Sequence, residues 1–343
     1  MKIAYLIDRP SLGGGCEYVR QLTQGLPLSF ECRAFYSSRG ECTARRVNAW
    51  RPDIIHVNHL RALLQLFRSP WRRPNAPVVF TVHGIHLRKY DFLPRTLRNR
   101  LLRLVRLALE RHLYKKCAAL IALTESDREE IHRLYGRDLT VVCIPNGIAS
   151  VPPPHPLSDS KEDFAFICLG RFDFPKGQDV LLRAIAQQSD ALRAKNRRTL
   201  FIGGGGTLDA MRSFADKLGV ADLVKFASEI PNASRFLSRG RILIAPSRWE
   251  GLPFLLLEAG LQKKPVIATD CPGNRDIITN NTSGLLFPTE DINALATLLI
   301  QDFSTSDLAR FGLSLESRVR SDFSLAHMLA ATQALYSSLS KSQ

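Results

Sequence analysis

Short aliphatic and β-branched runs recur along this chain, and amphipathic segments separate several of them. In the first half they are KIAYLI, DIIHVN, PVVFTVHG, ALIALT and LTVVCIPNG, each closed by Gly, Asn, Thr or Asp. Runs that are apolar throughout, rather than alternating, suit strands covered on both faces. With helical periods between them they predict parallel strands joined by crossover helices. The rhythm breaks from Ala149 to Asp163, ASVPPPHPLSDSKED, where Pro and Ser dominate and no apolar period survives. That stretch predicts an interdomain linker. A second set follows: FAFICLGR, TLFIGGGG, LVKFAS, RILIAPS, PVIATD and SGLLFP, and the tail FSLAHMLAATQALYSSL has a helical period.

The expected class is therefore α/β, with two doubly wound parallel-sheet domains facing a central cleft. Open sheets of this kind bind ligands outside the carboxyl ends of their strands. Unusual residues at strand ends are the ones to weigh.

Length and composition agree with two domains: 343 residues, 45% of them hydrophobic, suffice for two cores. Seven cysteines lie scattered, without a C-x-x-C pair or a nearby His cluster. They predict reduced, buried thiols rather than disulfides or a zinc site. The opening MKIAYLIDRPSLGGG is too soon interrupted for a signal peptide and predicts a buried first strand. No apolar run approaches the roughly 20 residues that cross a bilayer. A cytoplasmic protein, at most peripheral on a membrane, is expected.

Charge changes the picture more. The net charge is +15, and residues 1–150 carry 25 Lys and Arg against 12 Asp and Glu, while the remainder is nearly balanced. The first half faces something anionic. Its most basic stretch, His86 to Lys116, holds ten Lys and Arg and two acids. On a helix, Arg95, Arg100, Arg103, Arg106 and Arg111 share one arc and Leu97, Leu101, Leu104, Val105, Ala108 and Leu109 the opposite one, with Arg98 and Leu107 as exceptions. A surface helix with a solvated basic face is the simplest expectation. So many arginines repel one another unless an anion lies near, and SPWRRP sets Trp71 beside two more, a pairing suited to lipid headgroups. Contact with an anionic membrane surface is the favoured expectation.

Several motifs close strands. SLGGGCEYVRQL opens a helix after the first run, and Gly14 and Gly15 let backbone approach a ligand at the helix N-terminus. In TLFIGGGG, Gly203 to Gly206 do not fit G-x-G-x-x-G, which argues against a nicotinamide site. In CLGRFDFPKGQD, Gly170 and Arg171 end a run, and Lys176 lies five positions beyond Arg171. Two cations across one turn form a candidate clamp for a diphosphate. FTVHGIH ends a strand on His83. SRWEGLPFLLLEAG holds Glu250 and Glu258 eight positions apart around an apolar run, where ionised carboxylates need partners. Carboxylates accept hydrogen bonds from vicinal hydroxyls well.

Taken together, these motifs resemble glycosyltransferase family 4, the group 1 retaining enzymes of GT-B architecture. The resemblance spans nearly the whole chain: GGGCE, TVHG, IPNGI, LGRFDFPKG, IGGGG and PSRWEGLPFLLLEAGLQKKPVIATDCPGNRDII. It implies an acceptor-binding domain over 1–150, a linker over 151–162, a nucleotide-sugar domain over 163–320, and a helix in 321–343 packing back toward the first domain. It also implies that Glu250 contacts hydroxyls of the donor sugar, with backbone of Gly251, Leu252, Pro253 and Phe254 beside it, and that Glu258 holds the ribose. Arg171 and Lys176, beside Gly170, would neutralise the departing diphosphate, and His83 would sit near the transferred sugar. No metal or other cofactor is implied. Ala149 and Ser228 depart from the family pattern, and the second leaves base preference open.

The expected activity is retaining transfer of a hexose from a nucleotide diphosphate sugar, UDP-hexose by family frequency, to a lipid-linked or anionic glycan such as lipopolysaccharide. Two alternatives stay open: a polyanion-binding protein on the same scaffold, and a sugar-nucleotide epimerase. No nucleic-acid module is recognisable, so nucleic acid is not an expected partner.

Overall fold

The computed structural model describes residues 1–9, 13–151, 164–228, 230 and 232–341. Strands β1 (Lys2–Ile7), β2 (Glu31–Tyr36), β3 (Ile54–Val57), β4 (Val78–Val82), β5 (Ala119–Ala122) and β6 (Val141–Cys143) pair in parallel, in the order β2-β1-β3-β4-β5-β6. The five apolar runs of the first half all fall on strands. Ile3 to Leu6, Ile54, Ile55 and Val57 are fully buried, as helices on both faces demand.

The sequence pattern misses β2. ECRAFY sits at the sheet edge, with only Phe35 buried and Glu31 and Arg33 exposed, so it never forms an apolar run. Charged side chains on an edge strand also discourage pairing with another chain.

The second half repeats the scheme with β7 (Phe164–Leu169), β8 (Thr199–Ile202), β9 (Val224–Ala227), β10 (Gly240–Ala245), β11 (Val266–Thr269) and β12 (Leu285–Phe287), ordered β12-β11-β10-β7-β8-β9. Each of the six predicted runs carries one strand. Aromatic residues fill its core: Phe201 stacks on Phe226 at 5.0 Å between ring centres, and Phe172 packs against both.

Met1–Gly147 with Ser324–Gln343 forms one compact unit, and Ile148–Phe323 the other. The helix Leu325–Ser340 accordingly packs on the helix Gly14–Gly25 and on β3 of the first unit. The predicted linker falls almost wholly on residues 152–163, outside the described ones. The cysteines form no disulfide; Cys42, Cys168 and Cys271 are buried, whereas Cys16, Cys32, Cys117 and Cys143 are only partly so, which corrects the expectation that all were buried.

The returning helix is locked by a buried polar network. Tyr336, fully buried, places its hydroxyl 2.5 Å from Nδ1 of His56 and donates to the Tyr5 hydroxyl at 3.2 Å, while Nε2 of His56 meets the Thr81 hydroxyl at 2.6 Å. Burial, with a smaller contribution from His83, pushes the His56 imidazole down to about 3. A histidine depressed in the fold is stabilising while neutral in both states, and that contribution shrinks as pH falls below the unfolded value of about 6.5. The thermal midpoint should therefore drop by about 5 °C between pH 7.5 and 5.5. A midpoint flat over that interval would mean that His56 is protonated in the folded chain.

Candidate active site

In the second sheet β7 and β10 lie side by side, while the strands following each run to opposite edges. A ligand crevice is expected where the strand order reverses. Two loops leave the sheet there. One runs from Gly170 and Arg171 through the turn Phe174–Lys176 to the helix Gln178–Gln187; the other runs from Ser247 through Glu250 to the helix Phe254–Leu261.

The Lys176 ammonium donates to Oε1 of Glu250 at 2.6 Å, and the Ser247 hydroxyl donates to the same oxygen at 2.7 Å. Glu250 is 13% exposed and Lys176 27%, so the pair is sheltered but reachable. Arg171, 64% exposed, pairs with Asp173 at 2.8 Å. Burial raises the Asp173 carboxyl against the opposing pull of Arg171 and Lys176. Gly251, Leu252 and Pro253 lead into the helix at Phe254, whose N-terminus receives no side-chain cap. Uncapped helix N–H groups favour an anion. Glu258 is partly exposed on this helix, about 6 Å along its axis from Phe254.

Other residues hold these in place. Arg248 is buried and fastens one loop to the other. Its guanidinium donates to both carboxylate oxygens of Asp179 at 2.9 and 2.7 Å and to the Phe174 carbonyl at 2.7 Å, lies over the Phe174 ring, and pairs with Glu290 at 2.6 Å. Behind Ser247, the Thr269 hydroxyl donates to the Ser247 carbonyl, and fully buried Asn274 donates to the Thr269 carbonyl at 3.1 Å. A cavity of about 20 Å³ lies among Lys176, Ser247, Glu250 and Asn274, which is room for one water. Gly177 adopts φ +65°, and a Cβ there would stand 2.1 Å from the Pro246 carbonyl oxygen. Only glycine lets the two loops meet this closely. A larger groove of about 400 Å³ starts at Asp173 and Phe174 and runs between the helices Gln178–Gln187 and Leu208–Lys217. It does not include Lys176 or Glu250.

The first unit has its own cluster at the ends of β1, β3 and β4. The helix Gly14–Gly25 begins with Gly13 at φ 145° and no side-chain cap. A Cβ on Gly15 would stand 3.9 Å from the His83 ring, and one on Gly14 would meet nothing within 4 Å. Nε2 of His83 lies 3.1 Å from the amide oxygen of Asn58, and the Tyr18 ring meets the His83 ring edge-on at 5.0 Å. Burial, then the neighbouring His59 and His86, holds the His83 imidazole down at about 3. It is therefore neutral at pH 7, with Nε2–H donating to Asn58 and Nδ1 left as an acceptor. Ser11 and Leu12 of the same motif lie outside the described residues.

The predicted residues thus fall into two groups. Gly170, Arg171, Lys176, Glu250 to Phe254 and Glu258 gather at the switch point of the second sheet; Gly14, Gly15 and His83 gather in the first unit. Among the described residues, no group of three His, Cys, Asp or Glu side chains could hold a metal ion. Sequence reading passed over Ser247, Arg248 and Asn274, and over Asn58 and Tyr18. For Asn58 a signal existed, since it is the polar residue closing DIIHVN at a strand end. For Arg248 none did, because Asp179, Phe174 and Glu290, its side-chain partners, all lie more than 40 residues away.

Comparison with known proteins agrees with the motifs. The family model "Glycosyltransferase Family 4" matches residues 8–150, and "Glycosyl transferases group 1" matches residues 155–310. A lipopolysaccharide core biosynthesis mannosyltransferase of Rhizobium leguminosarum bv. viciae is 29% identical over 180 residues; the match spans 50% of this chain and 50% of that relative. A UDP-Gal:alpha-D-GlcNAc-diphosphoundecaprenol alpha-1,3-galactosyltransferase of Escherichia coli is 25% identical over 301 residues, covering 83% of this chain and 75% of that one. The crystal structure of HepE from Anabaena, in complex with UDP and glucose, superposes with a TM-score of 0.79 at 19% identity, covering 99% of this chain and 100% of that one. That likeness speaks for the fold. With both family models matched in order and two Rossmann-like domains of the GT-B class, the chain belongs to the group 1, family 4 glycosyltransferases.

Proposed function

We propose that this glycosyltransferase moves a hexose from a nucleotide diphosphate sugar, a UDP-hexose, to a lipid-linked or anionic glycan of the lipopolysaccharide kind at a membrane surface, with retention of configuration. The observation that carries the reading is the Lys176–Glu250 contact of 2.6 Å at the strand-order switch. A sugar–phosphate bond set over that contact meets a cation on its phosphate side and a carboxylate on its hydroxyl side. Arg171 and Lys176 stabilise the negative charge that grows on the departing diphosphate, the kind of interaction that contributes most to catalysis in many enzymes. Glu250 accepts from sugar hydroxyls, and charge-assisted bonds of this type contribute about 1.5–3 kcal/mol each. Glu258 accepts from the ribose, and the helix beginning at Phe254 turns its N–H groups to the phosphates. Neither role calls for a metal ion. His83, neutral, serves as hydrogen-bond partner to sugar or acceptor rather than as a charge.

The UDP donor is supported by the ligands of the Anabaena structure and by the donor in the name of the Escherichia coli relative; the glycan acceptor is supported by the names of both relatives. The test is a panel of UDP-, GDP- and ADP-hexoses incubated with the protein and no acceptor. Slow hydrolysis of one UDP-hexose to UDP and free sugar is expected, and retention is read from the linkage of the hexose once an acceptor is supplied. An isomerised nucleotide sugar would favour the epimerase, and salt-sensitive polyanion binding with no donor turnover would favour a binding protein.

A further inference from the structure

The helix Leu97–Tyr114 meets the protein along a narrow strip that takes only Arg106 from the basic arc and leaves the leucine arc outward. Its contacts with the first unit run through Glu110, Leu113 and Tyr114, all buried, and through the half-buried Asn99, Arg106 and Leu107. Arg106 pairs with Glu110, which also accepts from the Tyr135 hydroxyl at 2.5 Å, and Arg103 pairs with Asp91 at 3.6 Å. Arg106 and Glu110 are thus occupied by the fold, while Arg95, Arg100, Arg103 and Arg111 stay exposed beside the leucines.

The leucine side is not. Leu97 is 83% exposed and Leu104 61%, and Leu101, Val105 and Leu109 are exposed with them. At 1.5 Å per residue this arc extends about 18 Å. A contiguous apolar face of that length is an interaction site rather than ordinary surface.

Charge decides between occupants. The helix carries no acid on its outward arc, its one acid being the buried Glu110. Arg95, Arg98 and Arg100 are exposed at its N-terminal end and form no ion pair among the described residues. Pairing two copies through this face would set arginines against arginines, since an isologous contact repeats the same patch on both sides. An anionic bilayer takes both features at once, leucines into the acyl boundary and guanidiniums onto headgroup phosphates. Arg98, which falls within the apolar arc, is long enough to reach back to the headgroups.

We infer that the helix Leu97–Tyr114 is a membrane-docking element that lies in the plane of an anionic bilayer, with Leu97, Leu101, Leu104, Val105 and Leu109 submerged and Arg95, Arg98 and Arg100 on lipid phosphates. This deepens the membrane-surface part of the reading above and is independent of the donor chemistry.

The experiment is co-sedimentation of the full chain with vesicles of phosphatidylcholine alone and of phosphatidylcholine with 30% phosphatidylglycerol, run at about 0.15 M salt. Wild type should pellet with the anionic vesicles and stay in solution with the neutral ones. The double variant Leu101→Asp, Leu104→Asp should bind at least about tenfold more weakly with an unchanged thermal midpoint, since both side chains are exposed. The triple variant Arg95→Gln, Arg98→Gln, Arg100→Gln should lose the preference for anionic lipid. Leu313→Asp, exposed in the other unit, should bind as wild type does.

Wild type that ignores both vesicles, or a leucine variant that binds as wild type does, overturns the inference. So does a dimer in sedimentation analysis that the leucine variant dissolves, because the face is then a contact between copies. Donor hydrolysis is read on the same proteins without lipid. Loss of vesicle binding with hydrolysis intact leaves the transferase reading standing, and the reverse result leaves the docking element standing.

Discussion

Replacing Glu250 with Gln should cut turnover of the donor by about 100-fold while nucleoside diphosphate binding stays within about threefold of wild type. The variant keeps the shape of the side chain and an oxygen for the Ser247 hydroxyl. It removes the charge that Lys176 contacts at 2.6 Å and that Ser247 also donates to. If Glu250 serves the sugar, its loss weakens bonds made to the transferred hexose and leaves the nucleoside end untouched. Lys176, relieved of its carboxylate, remains available to the phosphates, so affinity for the diphosphate should hold or rise. The measurement is donor hydrolysis and transfer, alongside calorimetric titration with UDP. Unchanged turnover removes Glu250 from the reacting site. Weakened UDP binding with unchanged turnover at saturation assigns the residue to the nucleotide instead. Glu258→Gln supplies the contrast, since weakened UDP binding is expected there.

Strand content was legible because parallel strands buried on both faces must be apolar throughout; all eleven runs picked out by that rule carry strands. The one strand without such a run, Glu31–Tyr36, lies at an edge, where half of its side chains meet water. The grouping of candidate residues beyond strand ends was legible for Arg171, Lys176, His83 and Glu250; their roles rest on the proposed function. What holds them was not. Arg248 looks like one more cation in SRWEG, and only the fold reveals that it is buried against Asp179 and Phe174. Helical periodicity correctly separated a leucine arc from an arginine arc in Leu97–Tyr114 but could not say which faces inward. Glu110 settles that, because a buried carboxylate bound by Arg106 and Tyr135 brings its own strip of the helix to the protein and leaves the leucine arc outward. Such pairings depend on side chains distant in sequence, and local pattern carries no trace of them.

The run Gly203 to Gly206 shows the same division, and it yields the other large expected effect. Sequence reading found only that these glycines do not fit a dinucleotide fingerprint. In the fold, a Cβ on Gly203 would lie 1.9 Å from the carbonyl oxygen of Gly170, whereas one on Gly206 would meet nothing within 4 Å. Gly203 is buried, and its loop packs backbone against backbone on the segment that carries Arg171. Backbone cannot swing aside as a flexible side chain can, so Gly203→Ala must displace the Gly170–Lys176 loop or strain the end of β8. Overpacking of this kind costs about 3 kcal/mol, which lowers the thermal midpoint of a unit this size by roughly 6–12 °C. Arg171 and Lys176 move with the loop, so UDP binding should weaken about tenfold or more. Gly206→Ala adds the same methyl group three residues on and should leave the midpoint within about 2 °C of wild type. Measured together by scanning calorimetry and UDP titration, the pair separates close packing from mere glycine content. Equal midpoints for the two variants would show that the approach of Gly203 to Gly170 does not hold the Gly170–Lys176 loop in place.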